Sequence, residues 1–195
     1  MMKYRHVELG GNIAGTLAVR QARESDLTAI QAIYAHHVTH GTASFDTTPP
    51  TTLELAERRQ ASLRLGMPYL VAEAGDGSLA GYCYASSYRP RPAYRYTIEN
   101  SVYVRSCHLG RGVGTVLLNA LISECEAKGQ WRQMVAVIGD SDNLASISLH
   151  RKLGFQPVGT IRSAGFKFGR WVDSVLMQRA LNGGDANVPE EATDP

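Results

Sequence analysis

The sequence predicts an α/β fold with a sheet of mixed strand direction, and two periodic patterns carry this prediction. Short apolar runs that alternate with polar residues, typical of strands, cluster in the central and late parts of the chain. Segments with apolar residues at helical spacing lie between them, which gives the order β-α-α-β-β-β-α-β-α-β-β. Because hairpin turns join some strands and helices join others, we expect antiparallel and parallel neighbours in one sheet.

The predicted strands are segments in which β-branched, aromatic and other apolar residues stand between turn signals. They cover residues 17–22, 69–74, 79–86, 94–104, 133–138, 155–161 and 171–179. The second and third of these segments are separated by Gly75-Asp76-Gly77-Ser78, which is typical of a hairpin turn.

The predicted helices are bounded by capping residues. The first begins at Ser25, and the second begins at Thr51 or Thr52 and ends near residue 65. The last two cover residues 113–128 and 143–153. Ser, Thr and Asn favour helix starts because their side-chain oxygens accept hydrogen bonds from the first turn. A glycine follows each of the last two helices, at Gly129 and Gly154, and is expected to end it.

Length and composition favour one globular domain. The chain has 195 residues, of which 44% are hydrophobic and 19% charged, so it is long enough to bury a core. No apolar run is long enough to span a membrane, and no basic run with interleaved aromatic residues predicts a nucleic-acid partner. We expect a flexible N-terminal extension at 1–16, the domain at 17–182 and a disordered acidic tail at 183–195.

The cysteines indicate a reducing compartment. Cys83, Cys107 and Cys125 are widely spaced and form no C-x-x-C pair, which argues against a disulfide framework and a zinc site. The N-terminus lacks the apolar segment of a secretory signal, so we expect a cytoplasmic protein. His36 and His40 lie one helical turn apart but have no accompanying ligands, so no metal is expected.

A glycine-rich loop at residues 110–115 follows the strand end at 102–104 and begins a helix. Glycines at a helix start let backbone N–H groups approach an anion closely, and the helix dipole favours negative charge there. The spacing of these glycines does not fit a dinucleotide-binding fingerprint, and no Walker lysine follows. From the loop alone, a pyrophosphate site and a glycine-rich turn without a ligand both stay open.

Further motifs accompany this loop in a fixed order. They are Thr-Ile-Glu-Asn-Ser-Val-Tyr-Val at 97–104, Ala-Val-Ile-Gly at 136–139, Asn143-x-x-Ser146 leading to His150 and Leu-Gly-Phe at 153–155, and Gly-Phe-Lys-x-Gly-x-Trp-x-Asp at 165–173. Together they resemble the GNAT superfamily of N-acyltransferases over residues 17–181. Within it they are most similar to the phosphinothricin acetyltransferase group and related bacterial L-amino acid N-acetyltransferases.

The resemblance implies the GNAT fold, with a mixed central sheet of about seven strands, helices on both faces and two strands that splay apart at an acetyl-CoA site. The cofactor-binding residues that it implies are Val102, Tyr103, Val104, Leu109, Gly110, Arg111, Gly112, Val113, Gly114, Thr115, Asn143 and Ser146. Leu109 departs from the family, which usually has Gln or Arg there. Asn143 also suits a helix N-cap, and both roles are compatible.

The resemblance also implies catalytic and substrate residues. Glu99 is the candidate general base, and a strand glutamate paired with an arginine is the alternative. His150 would position the substrate or protonate the sulfur, and a structural helix histidine is the alternative. The candidate substrate residues are Phe45, Arg89, Arg91 and Tyr94, with solvated loop arginines as the alternative for Arg89 and Arg91.

The resemblance implies an acetyl-CoA-dependent N-acetyltransferase that acts as a homodimer. Its acceptor would be the α-amine of a small amino acid or analogue such as phosphinothricin or methionine sulfoximine, attacked directly in a ternary complex. Acetylation of a peptide or protein N-terminus, and a CoA-binding sensor without catalysis, remain alternatives.

Overall fold

The computed structural model describes residues 5–7, 17–186 and 188–189, and its described strands form one eight-stranded sheet. The strands are β1 (Arg5–Val7), β2 (Leu17–Gln21), β3 (Tyr69–Glu73), β4 (Leu79–Ser87), β5 (Thr97–Val104), β6 (Gln133–Gly139), β7 (Gln156–Lys167) and β8 (Arg170–Ala180). The α-helices are α1 (Leu27–His40), α2 (Thr52–Arg64), α3 (Val113–Lys128) and α4 (Leu144–Lys152).

The sheet order is β1-β2-β3-β4-β5-β6-β8-β7. β5 and β6 run parallel and the other described neighbours are antiparallel, which confirms the predicted mixed sheet. The helix α3 joins β5 to β6, as a parallel pair requires a crossover connection.

Two hydrophobic clusters show that helices cover both faces of the sheet. On one face, α3 contributes Leu117, Leu118 and Leu121, and α4 packs against the same cluster. On the other face, α1 and α2 pack on a group of sheet tyrosines that includes Tyr82 and Tyr103. Because successive residues of a strand point to opposite faces, the side chains of β5 are divided between these two clusters.

The parallel pair separates before its strands end. β5 pairs with β6 from Thr97 opposite Gln133 to Asn100 opposite Ala136, while β5 stays paired with β4 as far as Val104. Residues 101–104 of β5 and 137–139 of β6 therefore diverge, which confirms the expected splay.

Three boundaries differ from the sequence prediction. Ser25 does not cap α1, because the Asp26 carboxylate accepts from the backbone N–H of Arg23 and a 3-10 turn precedes the helix. β5 begins at Thr97 rather than at residue 94, since Pro92 starts another 3-10 turn. β7 extends beyond residue 161 to Lys167.

The two predicted terminal segments fall mostly outside the described residues. Arg5–Val7 lies within the predicted N-terminal extension and pairs with β2, which adds one strand to the seven expected. Residues 1–4 and 8–16 are not described, nor are residue 187 and residues 190–195 of the predicted tail. The flexible extension and the disordered tail therefore stay predictions.

Candidate active site

A cleft opens where β5 and β6 diverge. Its lining residues are Ala43, Asn100, Ser101, Val102, Tyr103, Ala136, Val137, Ile138, Gly139, Asn143, Ser146 and His150. Because residues 101–104 lack ladder partners in β6, backbone groups on that side are available to an extended ligand, except the Val104 carbonyl oxygen, which lies 2.8 Å from Nε2 of His37. The cleft suits an amide-bearing chain that adds itself between two strands.

The glycine loop lies at one end of this cleft. Gly110 and Gly112 have φ angles of +71° and +81°, which favour glycine, and Gly112 is the N-cap of α3. The backbone N–H groups of the first helical turn have no acceptors within the helix. A Cβ on Gly114 would lie 3.7 Å from a methyl group of Val104, so the helix start adjoins the end of β5.

The side chains of the predicted cofactor residues point in different directions. Val113 is 1% exposed and belongs to the α3 core, and the Tyr103 ring packs under α1, so both can offer only backbone groups to the cleft. Leu109 and Arg111 are exposed beside the loop. Thr115 is half-buried in the first turn of α3.

Asn143 is the N-cap of α4, which is one of the two roles predicted for it. Its Oδ1 atom accepts from the backbone N–H of Ser146 at 3.2 Å, while its amide nitrogen lies 3.4 Å from the carbonyl oxygen of Gly139. Both residues line the cleft. The cap thus fixes the orientation of Asn143 at the cleft wall.

Glu99 is half-buried on the face of β5 that carries α1 and α2. Burial raises its pKa from 4.5 to about 7, and the positive charge of Arg89 opposes this increase. No salt bridge involves Glu99 within the described residues, which disfavours the paired-glutamate interpretation. A carboxylate with such a pKa can accept a proton near neutral pH and release it again.

Two depressions flank Glu99 on its face of the sheet. Ser86 lies opposite Glu99 on β4 and lines a cavity of about 360 Å³. That cavity is formed by Arg58, Ala61, Ser62, Leu65, Tyr84, Ser86 and Ser87. Val135 lies opposite Glu99 on β6 and lines a second cavity, which also includes Tyr88 and Tyr94. Glu99 therefore lies between two pockets.

His150 is buried where α4 crosses the cleft. Its Nδ1 atom lies 2.8 Å from the carbonyl oxygen of Ser146, and its Nε2 atom lies 3.0 Å from Oδ1 of Asn100. Burial lowers the pKa of the ring. Both nitrogens are engaged by protein oxygens, so a proton transfer from this ring would require one contact to break.

The structure places the four predicted substrate residues in two groups. Phe45 lies against the end of β6, because a Cβ on Gly139 would meet its ring at 3.4 Å. The Arg89 guanidinium lies 5.1 Å from the centre of the Tyr88 ring, and that ring meets Tyr94 edge-on. Arg91 is exposed at the start of the 3-10 turn. The structure therefore does not bring Phe45 into contact with the arginine loop.

Sequence reasoning missed residues that shape the site from afar. Asn100 donates from its amide to the carbonyl oxygen of Val135 at 3.1 Å, at the point where the strands separate. Its one sequence signal was a polar residue at a core-facing place of the strand. Arg58 lines the larger cavity from α2, and nothing in a helix sequence distinguishes such an arginine from a solvated one.

The described residues contain no group of three or more His, Cys, Asp or Glu side chains that could hold a metal ion. Their helices include none with the length and apolar character needed to cross a membrane. The three cysteines are free, with Cys83 and Cys125 buried and Cys107 exposed.

Comparisons with known proteins agree with this geometry. A family model described as an acetyltransferase (GNAT) domain matches residues 19–176. Phosphinothricin N-acetyltransferase of Alcaligenes faecalis is 56% identical over 172 residues, covering 88% of this chain and 86% of its own. The L-methionine sulfoximine/L-methionine sulfone acetyltransferase of Pseudomonas paraeruginosa is 43% identical over 168 residues, covering 85% and 95%.

A solved structure shares both fold and sequence with the chain. It is a GNAT superfamily phosphinothricin acetyltransferase from Sinorhizobium meliloti in complex with AcCoA, with a TM-score of 0.87 and 42% identity. The match covers 94% of this chain and 97% of that one.

Proposed function

The chain belongs to the GNAT acetyltransferase family, and we propose that it acetylates the α-amine of a small amino acid or analogue. Phosphinothricin and methionine sulfoximine are the first acceptors to test, because the relatives named for them are 56% and 43% identical. The observation that carries the proposal is Glu99, which lies between two pockets with a pKa of about 7.

The chain's own residues meet the demands of amine acetylation. Acetyl-CoA supplies an activated acetyl group as a thioester, and the cleft between β5 and β6 would hold its extended arm. The N–H groups of residues 110–115 would bind its pyrophosphate, since a helix start favours anions. Arg111 is exposed at this loop and would add positive charge.

Glu99 would take the proton that the acceptor ammonium must lose before it attacks. The free amine then forms a bond to the thioester carbonyl carbon, and a backbone N–H near Val102 stabilises the developing oxyanion. The carbon–sulfur bond breaks and the thiolate leaves, taking up through water the proton that the attacking nitrogen loses as it becomes an amide. We assign His150 a positioning role, because both of its nitrogens contact protein oxygens.

The acceptor would lie beside Glu99 with its carboxylate near the loop of Arg89 and Arg91. A guanidinium binds a carboxylate through two parallel hydrogen bonds, which suits an amino acid. The cavity lined by Arg58 and Tyr84 is large enough for a short side chain, and its one cationic side chain, Arg58, binds Asp46 and would have to share its charge with an acidic acceptor. A protein N-terminus would need an open groove instead.

We also propose that the enzyme is a cytoplasmic homodimer. β7 is an edge strand with an exposed surface, and Val158, Ile161, Phe166 and Trp171 are each more than half exposed on the β7–β8 hairpin. An exposed apolar patch on a strand edge favours pairing with another copy. The free cysteines suit a reducing compartment.

Thiol release from acetyl-CoA tests the acetylation proposal. The wild type and Glu99→Gln are assayed with phosphinothricin, methionine sulfoximine and the twenty common amino acids, and Glu24→Gln, an exposed glutamate outside the site, is the control. We expect turnover with at least one acceptor and a loss of about 100-fold or more in kcat for Glu99→Gln alone.

Two outcomes would overturn the proposal. Acetyl-CoA binding without turnover on any of these amines would favour a protein acceptor or a CoA-binding sensor. Full activity of Glu99→Gln would remove Glu99 from the role of general base.

A further inference from the structure

Lys167 is a buried lysine at the end of an exposed strand. It is 5% exposed, while its neighbours Phe166 and Phe168 are 59% and 57% exposed. Its ammonium donates to the carbonyl oxygen of Gly41 at 2.9 Å and to that of Ser44 at 2.7 Å. A lysine rarely loses its hydration unless other groups replace the water, so these carbonyls are the reason for its position.

The two carbonyls belong to residues 41–46, which follow α1 and lead towards α2. We call residues 41–46 the Phe45 segment. Its carbonyls lie three residues apart and converge on one charged donor. Burial lowers the pKa of Lys167, and the negative charge of Asp46 opposes this decrease. A charge-assisted bond of this kind is stronger than one between neutral groups.

The β7–β8 hairpin holds the Phe45 segment at further points. Asp140, at the end of β6, accepts from the Thr42 hydroxyl at 3.3 Å and pairs with Arg170 of the hairpin. A Cβ on Gly165 would lie 2.3 Å from the Phe45 ring, so that ring rests directly on the β7 backbone. Phe45 therefore fits only where position 165 has no side chain.

The same segment forms part of the cleft wall. Ala43 lines the cleft together with Ser101 and His150. A Cβ on Gly139 would lie 1.9 Å from the carbonyl oxygen of Thr42, so the segment passes directly over the end of β6. Any movement of the segment changes the space in which the acceptor meets the acetyl group.

The other end of the segment is held by the helices. The Tyr34 hydroxyl lies 2.8 Å from Oγ of Ser44 and donates to Asp46, and Arg58 also binds Asp46. These contacts come from α1 and α2 and not from the hairpin. Loss of the hairpin contacts alone would let the segment pivot about Ser44 and Asp46 without releasing it.

We propose that Lys167 and Gly165 are positioning residues for the acceptor, because they hold the Phe45 segment and its ring against the acetyl-CoA cleft. This inference rests on the proposed acetylation of a small amine. It assigns a purpose to the run Gly-Phe-Lys at 165–167 of the hairpin, to which the proposed mechanism gives no part in proton transfer or cofactor binding. It makes the hairpin a determinant of acceptor affinity rather than of acetyl-CoA affinity.

Lys167→Met tests the inference, since it keeps a four-atom apolar stem and removes the ammonium donor. Lys128→Met, at an exposed lysine on the C-terminal end of α3, is the matched control, and Lys167→Arg restores charge and donors. We expect Lys167→Met to raise KM for the acceptor about tenfold, with KM for acetyl-CoA changed less than about threefold, and Lys167→Arg to recover part of the loss.

Hydrogen exchange of the backbone amides gives a readout that needs no turnover. We expect faster exchange at residues 41–46 in Lys167→Met than in the wild type or Lys128→Met. If the wild type acetylates no tested amine, the proposed function fails while exchange still tests the contact. Unchanged exchange in a folded Lys167→Met protein, or an unchanged acceptor KM in an active one, would overturn the inference.

Gly165→Ala covers the case in which Lys167→Met does not fold. Its added methyl group displaces the Phe45 ring, so we expect a higher acceptor KM in the wild-type background and little further change in a Phe45→Ala background. Equal effects in both backgrounds would show that Gly165 does not act through Phe45 and would overturn its assignment.

Discussion

His150 and Asn100 meet across the apex of the splay, with the Nε2 atom of the ring 3.0 Å from Oδ1 of the amide. Asn100 also donates to the Val135 carbonyl on β6, so one side chain connects both diverging strands to α4. On the other side of the ring, Nδ1 lies 2.8 Å from the Ser146 carbonyl oxygen. These three contacts fix the point at which the sheet opens, and the width of the cleft depends on them.

We expect His150→Ala to lower stability by about 1–3 kcal/mol, because the neutral ring has one N–H and its loss leaves one buried oxygen, that of the Ser146 carbonyl or Oδ1 of Asn100, without its donor. Burial also lowers the pKa of His150 below 6.5, so the unfolded state takes up a proton at a higher pH than the folded state. The free energy of unfolding of the wild type therefore falls as pH falls through and below this value, and the variant lacks that component.

Urea unfolding between pH 5 and 8 measures this difference. His37 has a pKa that burial lowers in the same direction, and because it is present in both proteins its contribution cancels in the comparison. Parallel stability curves for the wild type and His150→Ala would contradict a neutral, buried His150.

Glu99 is expected to make the protein less stable at the pH at which it acts. Its pKa rises from 4.5 to about 7 on folding, so the folded state holds the proton more tightly than the unfolded state. Stability is therefore greatest below the lower value and is lost as pH rises towards and through the higher one. We expect Glu99→Gln to raise the free energy of unfolding at pH 8 by roughly 1–3 kcal/mol, with little change at pH 4. A stability gain that is the same at both pH values would contradict the shift.

Arg89 is expected to set the pH at which Glu99 begins to act. Its positive charge lowers the pKa of Glu99, so removing that charge raises this pKa further. We expect Arg89→Gln to move the acid limb of kcat/KM to higher pH, while Arg91→Gln leaves the limb in place and raises KM for the acceptor. Full pH–rate profiles of both variants measure this, and equal limbs for wild type and Arg89→Gln would contradict it.

The homodimer proposal predicts that the hairpin patch controls association. Trp171 is 63% exposed and meets the Phe166 ring edge-on, so Trp171→Arg introduces a charge into the centre of the patch. We expect this variant to become monomeric at concentrations at which the wild type is a dimer. Leu53→Arg is the control, because Leu53 is 71% exposed on α2, away from the hairpin. Analytical ultracentrifugation distinguishes the species, and a wild-type monomer would refute the dimer.

Local sequence signals predicted the elements that surround the cleft. The glycines that bound α3 and the apolar residues of β5 are local signals. The elements that could not be predicted depend on distant partners. Lys167 lies in a strand that is otherwise exposed, and its two carbonyl partners are 126 and 123 residues away in the sequence. No periodicity encodes such a contact.

The side-chain contacts of loop residues could not be predicted from the sequence either. Phe45 was predicted to bind the substrate beside the arginine loop, and in the structure its ring packs on Gly165 and Gly139. Ser25 was wrongly expected to cap α1, since it lies inside a 3-10 turn at Glu24–Asp26 and Asp26 is the residue that immediately precedes the helix. Both outcomes depend on which neighbouring groups a residue contacts in the folded chain, and residue propensities alone do not predict those contacts.

Two glycines with a similar backbone conformation, one in the glycine loop and one outside it, allow a test of whether the loop binds a ligand. Gly110 and Gly77 have φ angles of +71° and +81°, and a Cβ added at either meets no atom within 4 Å. Alanine at either site therefore costs similar backbone strain, about 1–2 kcal/mol, without a clash in the folded protein. Gly77 lies in the hairpin between β3 and β4, whereas Gly110 lies beside the start of α3.

If the N–H groups of residues 110–115 bind the pyrophosphate, a methyl group on Gly110 stands where the ligand must approach the backbone. We then expect both variants to lose similar thermal stability, but only Gly110→Ala to weaken acetyl-CoA binding, by about tenfold or more. Isothermal titration with acetyl-CoA and with dephospho-CoA measures this, because both ligands carry the pyrophosphate and both should lose affinity. Equal affinities of Gly110→Ala and Gly77→Ala would mean that the loop is a turn without a ligand, which was the alternative left open by its sequence.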